Sequence, residues 1–372
     1  MKNNRTFLEK LLDGAEVEWK PLNKIVTTIT APVKLKREMY CSTGSTPIID
    51  QGEKFIAGYT DENFEAIPSN EYIIFGDHSE HIKYVNFSFI QGADGLKILK
   101  PKEDNAKYIY YAFQNFYVKE LNYKRHWSSA KETLIPLPPP TVQTEIVRIL
   151  DALTALTSEL TSELTLRRKQ YEYYREKLLS HNDSENSSQQ KVDKDKLFST
   201  SNIQWLHLNE IYKFQYGIGN KIPTIGGEYP VYGSNGIVGS HNEYNSEDAP
   251  VIGHIGAYAG IVNWAEGKHF VTYNGIICNK INDNVNSRYA YYLLLSQNFI
   301  DKANKASQPF ISYDILNKCI VPVPPIEEQQ RIVSILDKFE TLTNSITEGL
   351  PLAIEQSQKR YEYYRELLLN FS

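Results

Sequence analysis

One stretch of sequence, present twice, decides the fold of this chain. Residues 135–151 read IPLPPPTVQTEIVRILD and residues 321–337 read VPVPPIEEQQRIVSILD, at an offset of 186 positions. Each stretch opens a long segment with helical periodicity, and both segments end in the hexapeptide YEYYRE, at residues 171–176 and 361–366. A self-similarity of this length indicates an internal duplication.

The segments upstream of the two stretches share their ends and little else. WKPLNKI at residues 19–25 and WLHLNEI at residues 205–211 are again 186 positions apart. Between the shared ends, short β-type runs with turn residues precede helical segments at residues 106–123 and 287–303. Each segment is therefore predicted to be an α+β domain with an equal frame and a different interior.

The two long helices are predicted to form a coiled-coil pair. The first, from about residue 141 to residue 180, has apolar residues at three- and four-residue spacing. At ~1.5 Å per residue it would reach about 60 Å. Its middle repeats TSEL in tandem at residues 157–164, which adds about one turn and keeps the apolar face aligned. The second, from about residue 326 to residue 370, contains Gly349–Leu350–Pro351, where we expect a kink or a short break.

The two chain ends are predicted to meet. EKLL at residues 9–12 recurs at residues 176–179 after the first YEYYRE, and a looser version follows the second at residues 366–369. The N-terminus thus resembles the tail of a repeat that begins at the C-terminus, although EKLL is also a common helical tetrapeptide. If the ends meet, the two long helices run antiparallel. The predicted segments are an N-terminal helix (1–16), a first variable domain (17–134), a central helix (135–180), a polar linker (181–202), a second variable domain (203–320) and a C-terminal helix (321–372).

Composition is typical of a soluble protein with two domains. The 372 residues are 41% hydrophobic and 23% charged, no apolar run could span a bilayer, and the N-terminus lacks a signal-peptide layout, so we expect a cytoplasmic protein with no membrane contact. Cys41, Cys278 and Cys319 form no CxxC pair and are interpreted as reduced core thiols. The net charge of −5 argues against a nucleic-acid binder that works alone, but not against one within a larger complex.

Catalytic, cofactor and metal motifs are not recognisable in the sequence. His78 and His81 form an HxxH pair with no evident third ligand, so a metal site is not expected. Gly253, Gly256 and Gly260 match neither a dinucleotide fingerprint nor a phosphate loop. The repeated prolines lack the following aromatic residue of amino-methyltransferase motifs and are interpreted as helix starts. We therefore expect no catalytic residue in this chain.

Polar and basic loop residues are the candidates for nucleic-acid contact, although each could also be ordinary solvated surface. Lys and Arg can meet phosphates or guanine, Asn and Gln can read adenine, and aromatic rings can stack. Residues 17–135 contain 15 basic and 15 acidic side chains and residues 203–321 contain 8 and 9, so affinity would have to be shared with a partner. The candidates are Lys34, Lys36, Arg37, Ser45, His78, Lys83, Lys124, Arg125, His126, Trp127, Ser128, Tyr216, Lys221, Ser234, Asn235, His254, Tyr258, Tyr273, Asn274, Lys305, Ser307 and Gln308.

Taken together, these features resemble the specificity subunit of type I restriction-modification enzymes, a host-defence system. The resemblance rests on the two divergent domains, the PLPP and VPPxxEQ openings, the long helices ending in YEYYR, and the tandem tetrapeptide, and it covers essentially the whole chain. The first frame departs from the second, with TVQT at residues 141–144 where the second has EEQQ at residues 327–330. Equal affinity for a partner at both frames is therefore open.

The resemblance implies a DNA-binding, non-catalytic subunit with two target-recognition domains, pseudo-symmetric mixed α/β folds separated by two long antiparallel coiled-coil helices. Each domain would read one half of a split double-stranded DNA target. The frames would dock two methyltransferase subunits, which methylate adenine at N6 with S-adenosylmethionine, and through them restriction subunits that use ATP and Mg. The candidates for docking or scaffolding are Pro138, Pro139, Gln143, Ile146, Tyr171, Tyr174, Pro324, Pro325, Gln329, Ile332, Tyr361 and Tyr364.

Two other classes of protein are weighed against this interpretation. A stand-alone DNA methyltransferase or nuclease would need a catalytic motif, and none is found. A coiled-coil structural adaptor would explain the long helices but not the paired, diverged domains. Activity of the purified chain with S-adenosylmethionine would identify the first class, and DNA binding with and without a methyltransferase would separate the second.

Overall fold

A computed structural model describes residues 7–180, 203–219, 222, 226–304 and 307–371 of the chain. The predicted polar linker lies outside the described residues. The chain forms two compact units, unit 1 with residues 1–161 and 353–372, and unit 2 with residues 162–352. Both long helical segments therefore contribute to both units.

In residues 7–180, short strands precede the long helix. The elements are α1 (Phe7–Leu12), β1 (Glu18–Pro21), α2 (Leu22–Ile25), β2 (Val26–Ile29), β3 (Lys34–Leu35), β4 (Thr46–Ile49), β5 (Gly58–Thr60), β6 (Tyr72–Gly76), β7 (Ile82–Val85), β8 (Ile90–Gly92), β9 (Leu96–Pro101), α3 (Ala106–Phe116), α4 (Trp127–Ala130), β10 (Leu134–Leu137) and α5 (Pro140–Leu179).

Residues 203–371 begin and end with the same kinds of elements, but the strands between them are fewer and longer. The elements are β11 (Gln204–His207), α6 (Leu208–Ile211), β12 (Tyr212–Tyr216), β13 (Tyr229–Gly233), β14 (Gly236–His241), β15 (Ser246–Gly253), β16 (Val262–Val271), β17 (Gly275–Lys280), α7 (Ser287–Ser296), α8 (Phe299–Lys302), α9 (Tyr313–Asn317), β18 (Ile320–Val323), α10 (Ile326–Asn344) and α11 (Gly349–Leu369).

Unit 1 contains two four-stranded sheets, in the orders β2-β9-β6-β7 and β3-β8-β4-β5. The first pairs antiparallel throughout, and the second contains parallel pairs of β8 with β3 and β4. Helix α3 covers the first sheet with Tyr108, Ile109 and Phe113, all fully buried. The apolar residues of α3 recur every three or four positions and so form one apolar face. This face packs on the sheet.

The two chain ends meet in unit 1, as predicted. Leu368 and Leu369, from the end of α11, are buried in the same apolar cluster as Ile146 and Leu150 of α5, and Leu12 of α1 packs against it. Farther along the helices, the hydroxyls of Thr157 and Ser357 lie 2.9 Å apart. Contacts advance along α5 as they retreat along α11, so these helical segments run antiparallel.

Unit 2 contains one six-stranded sheet, in the order β12-β17-β15-β16-β13-β14. Its core includes α7, whose Tyr289, Tyr292 and Leu293 are fully buried. The last part of α5 and helix α10 pack antiparallel, because Arg168 donates to Thr343 O at 3.4 Å while Tyr174, farther along α5, stacks on Phe339 at 5.7 Å. The predicted α+β class and antiparallel helix pairing are confirmed within each unit.

The two helices predicted before the proline stretches are shorter than expected. The first ends at Phe116 instead of Tyr123, because the chain turns extended at Tyr117. The second is divided into α7 and α8 by Asn298, whose backbone is left-handed with φ 46°. Helical spacing of apolar residues persists through both breaks, so periodicity alone could not place them.

The expected break in the second long helix is confirmed and lies slightly upstream of its proline. Helix α10 ends at Asn344 and α11 begins at Gly349, whose φ is 82°. A Cβ at residue 349 would stand 2.6 Å from Thr341 O, so the turn requires glycine. Pro351 lies in the first turn of α11, where a missing N–H costs no helical hydrogen bond.

The core-thiol prediction holds for two of the three cysteines. Cys278 and Cys319 are buried. Cys41 is exposed and forms an isolated β-bridge with Tyr59 on β5, the edge strand of the sheet β3-β8-β4-β5, so the prediction is wrong for Cys41. Within the described ranges, no helix is both long and apolar enough to cross a membrane.

Candidate nucleic-acid interface

The same buried glutamine closes each repeat of the frame. The shared frame consists of the strand pairs β1–β10 and β11–β18 with residues 140–151 and 326–337 of the helices that follow. Gln143 donates to Pro138 O at 3.0 Å and accepts from the N–H of Asn105 at 3.0 Å. It donates in addition to Asp104 Oδ1 at 2.8 Å.

Gln329 makes the matching set in unit 2. It donates to Pro324 O at 2.8 Å and to Asn284 O at 3.1 Å, and it accepts from the N–H of Asn286 at 2.8 Å. Both glutamines are essentially inaccessible to solvent. Because Asn105 and Asn286 cap α3 and α7, each glutamine joins the proline turn to the start of the preceding domain helix.

Two tyrosines per repeat extend this match. Tyr108 donates to Pro136 O at 2.8 Å, and Tyr289 donates to Pro322 O at 3.0 Å. One turn later Tyr111 donates to Asp151 at 2.7 Å, and Tyr292 donates to Asp337 at 2.5 Å. Burial, reinforced by the carboxylate acceptor, raises the pKa of Tyr111 and of Tyr292, so both phenols stay protonated donors.

A cation then links each domain to its helix. Lys107 pairs with Asp151 at 2.8 Å and lies 5.3 Å from the ring of Tyr84 on β7. Arg288 pairs with Asp337 at 2.9 Å and lies 5.1 Å from the ring of Trp264 on β16. Both units therefore have an ion pair between the domain helix and the long helix, with the cation beside an aromatic ring, although the strands that carry these rings differ.

Each frame also exposes the same pair of apolar side chains. Trp19 and Leu134, on β1 and β10, are 40% and 51% exposed. Trp205 and Ile320, at the matching positions of β11 and β18, are 53% and 50% exposed. A large apolar pair left in solvent at equivalent places in both repeats is typical of an interaction surface.

Most other docking candidates have a structural place in the frame. Ile146 and Ile332 are fully buried and Tyr171 nearly so, which assigns them to packing. Tyr174 and Tyr364 are each 37% exposed and remain candidates for contact. The repeated prolines form the turn before each helix, at Pro138, Pro139, Pro324 and Pro325. Tyr361 is partly buried and packs against the core of unit 1.

The predicted basic loops of unit 1 converge on one surface. Gln51 connects them, since its amide accepts from the N–H of His78 at 3.1 Å and donates to Asp94 O at 3.2 Å. Asp94 in turn pairs with Lys34 at 3.0 Å. The ring of His78 contacts Lys124 O at 3.1 Å through Nδ1. Residues that are 90 positions apart in sequence thus belong to one polar surface.

Two candidates on this side are interior supports instead of free contacts. Lys83 is buried and donates to Asp50 O at 2.8 Å and to Lys54 O at 2.6 Å, and burial lowers its pKa. His126 is fully buried with Nε2 2.8 Å from Asn122 O. Sequence could not separate them from their exposed neighbours, since a lone Lys or His carries no burial signal.

The remaining candidates of unit 1 lie near the surface. Lys124, Arg125 and Ser128 are exposed, as are Lys36 and Arg37, with Arg37 Nη2 4.0 Å from buried Asp50. Ser45 is exposed, and its N–H donates to Asp61 Oδ1 at 2.8 Å. Trp127 is half-buried, and its backbone N–H donates to Asp77 Oδ1.

In unit 2, several predicted loop residues form one aromatic cluster. The ring of Tyr216 lies 4.4 Å from His254 and 6.0 Å from Tyr273, and it stacks on Tyr313 at 4.2 Å. Tyr273 is 46% exposed and His254 is buried with Nδ1 2.8 Å from Ile311 O. Tyr273 therefore exposes part of its ring and packs against buried His254, with ring centroids 5.4 Å apart.

Neighbouring loops complete this surface of unit 2. Ser234 donates to Ile255 O at 2.8 Å and to Asn274 O at 3.1 Å, which ties two turns together. Of the other predicted residues, Asn235, Ser307 and Gln308 are exposed, and Tyr258 is 51% exposed. Lys221 and Lys305 lie outside the described residues.

Sequence reasoning missed the acidic and aromatic supports of these loops. Glu80 and Asp77, both buried, hold the loop that carries Lys124, and Tyr313 stacks under Tyr216. Burial alone would raise the pKa of Glu80, but hydrogen bonds from Tyr117 and two backbone N–H groups outweigh it, so its pKa is lowered. The HxxH spacing around residue 80 contained no signal of this role.

Among the described residues, no group of three or more His, Cys, Asp or Glu side chains could hold a metal ion. His78 instead contacts a carbonyl and a tyrosine ring, and half-buried His81 lines an open groove of about 1310 Å³ between the domain and the helices of unit 1.

Comparison with known proteins gives one consistent result. The family model for the type I restriction modification DNA specificity domain matches residues 16–170 and 208–356. The chain is 36% identical to the EcoR124I/EcoR124II specificity subunit of Escherichia coli, over 98% of this chain and 97% of that protein. It is 31% identical to the E. coli EcoprrI specificity subunit, over 92% of each.

A solved structure supports the fold. The S subunit of a type I restriction-modification system from M. genitalium aligns with a TM-score of 0.65 over 97% of this chain and 98% of that one, at 19% identity. The duplicated frame, the two diverged domains and the full-length relatives together place this chain in the family of type I restriction-modification specificity subunits, DNA-binding proteins that confer sequence specificity and are not catalytic.

Proposed function

We propose that the chain reads a two-part DNA target, with one half read by each unit, and docks one methyltransferase subunit on each repeat of the shared frame. The observation that carries this proposal is the equality of the frames against the inequality of the domains. Gln143 and Gln329 make matching bonds, whereas the domains contain two four-stranded sheets in unit 1 and one six-stranded sheet in unit 2. Identical partners need equal surfaces, and different half-sites need different ones.

Partner docking is assigned to the exposed apolar pairs of the frame. Trp19 with Leu134, and Trp205 with Ile320, present the same side-chain types at matching positions of the two strand pairs. Tryptophan is prominent among the residues that contribute most to protein interfaces. Two such pairs support two copies of one partner.

The chemistry belongs to the partners. The relatives are named as specificity subunits of type I restriction enzymes, which supports catalysis by other subunits. We propose that these are a methyltransferase that modifies adenine N6 with S-adenosylmethionine and restriction subunits that use ATP and Mg. This chain contributes recognition and placement: its loops hold the DNA, and its frame brings each methyltransferase to one half of the target.

DNA binding is expected to depend on the partner. The domains are close to electrically neutral, with 15 basic and 15 acidic side chains in residues 17–135. Because phosphate contacts supply much of the affinity for DNA, a neutral domain binds weakly by itself. Bound methyltransferase subunits would supply the remaining contacts.

Single-molecule methylome sequencing tests the proposal. The chain and a methyltransferase subunit of its system are expressed together in a host that lacks adenine methylation, and the methyltransferase alone is the control. Methylation at one split motif only when both are present is expected. Methylation of the same motif without this chain, or of a continuous motif with it, would contradict the proposal.

A further inference from the structure

The segment between α3 and α4 presents eight consecutive exposed residues, Val118–Arg125 (VKELNYKR), called here the 118–125 loop. Its apolar side chains are among the most exposed of unit 1: Val118 is 82% exposed, Leu121 84% and Tyr123 91%. Exposed apolar side chains that lie close together often mark an interaction site. The loop therefore has the composition of a contact surface.

A buried carboxylate holds the loop in place. Glu80 accepts hydrogen bonds from the N–H of Glu120 at 2.8 Å and of Leu121 at 2.9 Å. The same carboxylate accepts from the hydroxyl of Tyr117 at 2.6 Å. A charged acceptor for two backbone donors fixes the path of a loop that has no strand or helix of its own.

The end of the loop is fixed by the same turn between β6 and β7. Asp77 accepts through its carbonyl from the N–H of His126 and through Oδ1 from the N–H of Trp127, both at 2.8 Å. His78 stacks on Tyr123 with ring centroids 5.4 Å apart. The exposed ring of Tyr123 is therefore held on one side and open on the other.

Backbone strain is concentrated at this junction. Glu80 and Leu121, which are joined by a hydrogen bond, both have a φ of 56°, in the left-handed region that non-glycine residues rarely adopt. Such conformations persist where the surrounding structure enforces them, and they cluster at functional sites.

Charge and position distinguish the occupants that could cover this loop. Lys119, Lys124 and Arg125 outnumber Glu120, so the loop has a net positive charge in a protein with a net charge of −5. In unit 2, the segment after the matching helix first forms α8, and the residues between α8 and α9 have a different sequence from the 118–125 loop. A partner that binds both frames equally would not need a sequence that differs between the repeats, whereas a basic sequence found in one repeat suits DNA.

We propose that the 118–125 loop is a DNA-contacting element of unit 1, with Lys124 and Arg125 at phosphates or guanine edges and Tyr123 against the bases, and that Glu80 is its positioning residue. The proposal rests on the function proposed above and names the residues that perform it. Arginine and lysine in this role recognise the backbone or guanine, and an exposed tyrosine ring packs against base edges.

Three changes test the loop in the full chain assembled with its methyltransferase. They are Tyr123→Ala, the double change Lys124→Ala with Arg125→Ala, and Glu80→Gln. Lys131→Ala, at a lysine just outside the loop whose side chain is 41% exposed, is the control. Affinity is measured for the mapped target and for two altered targets, each with one half scrambled, at two salt concentrations.

Tyr123→Ala and the double change should each weaken binding to the intact target at least tenfold, and the double change should also reduce the salt dependence. For both, scrambling one particular half should no longer weaken binding further, while scrambling the other half should still do so. Glu80→Gln should weaken recognition of the same half of the target. A merely structural role for Glu80 would leave the preference for each half unchanged, whatever the effect of the change on thermal stability. Lys131→Ala should match the wild type.

The outcomes separate the loop from the proposed function. If the wild-type complex binds the split target and the loop variants bind equally well, the loop assignment is wrong. If the variants fail to assemble with the methyltransferase, the loop is a protein contact and the assignment is also wrong. If the wild-type complex shows no preference for a split target, the proposed function itself is contradicted.

Discussion

At the scale of single residues, the buried glutamines show how one sequence repeat becomes one repeated structure. Gln143 and Gln329 each satisfy a backbone N–H and a proline carbonyl that the helix start would otherwise leave unpaired in the interior. An unpaired buried polar group costs about 1–3 kcal/mol. The prediction of these residues as frame candidates followed from their shared offset, but their contact with the domain helices could not be read from spacing.

Replacement of either glutamine by leucine should destabilise the fold. Gln143→Leu and Gln329→Leu should each lower the free energy of unfolding by about 2–3 kcal/mol, because each removes the partners of buried backbone groups. Chemical denaturation measures the effect, and Gln356→Leu on the exposed face of α11 is the control with little expected change. Unequal effects of the two buried changes would show that the frames are not energetically equivalent.

A pH dependence follows from Glu80. Its folded-state pKa is lowered from the ordinary value of 4.5, so its carboxylate stabilises the fold above that value, and this contribution is lost as the pH falls through the folded-state pKa. The difference in unfolding free energy between the wild type and Glu80→Gln should therefore shrink as the pH drops from 6 towards about 3. A difference that stays constant over this range would show that the carboxylate charge is not what holds the loop.

Trp19 and Trp205 test partner docking at the residue scale. Each single change to alanine should weaken one of the two docking sites, so that complexes with one methyltransferase accumulate at concentrations where the wild type carries two. Native mass spectrometry counts the subunits, and Lys20→Ala on the same strand pair is the control. Complexes that keep two methyltransferases in both tryptophan variants would place docking elsewhere.

At the scale of elements, the long helix α5 contains the tandem TSEL at residues 157–164, which spans the point where the helix passes from unit 1 to unit 2, between Thr161 and Ser162. The apolar stripe is fully buried near both ends, at Leu150 and Leu178, and only half-buried in the tandem. A segment with few buried contacts tolerates a change of length better than a packed core does.

Insertion of one more TSEL is expected to act on target spacing. Four residues add about 6 Å of helix, and at ~3.4 Å per base pair this should widen the gap between half-sites by one or two pairs while leaving both halves unchanged. Methylome sequencing of the insertion variant reports the gap directly. An unchanged gap with full methylation would rule out a spacing role for the tandem.

At the scale of the whole molecule, the sequence predicted the frame well and the domain interiors poorly. Positions such as Trp19 and Trp205 could be predicted to belong to the frame because the same residue occurs at the same place in both repeats. The helix end at Phe116 and the support of the 118–125 loop by Glu80 carry no such signal, and the support depends on a carboxylate from a distant strand turn. Long-range contacts of this kind leave no local pattern to read.

The central claim is that each unit reads its own half of the DNA target on an equal frame. Exchange of residues 17–134 for the corresponding segment of another specificity subunit, followed by single-molecule methylome sequencing of cells that also contain the methyltransferase, tests it most directly. One half of the methylated motif is expected to change while the other half and the gap remain. A change in both halves, or loss of methylation in a complex that still assembles, would contradict it.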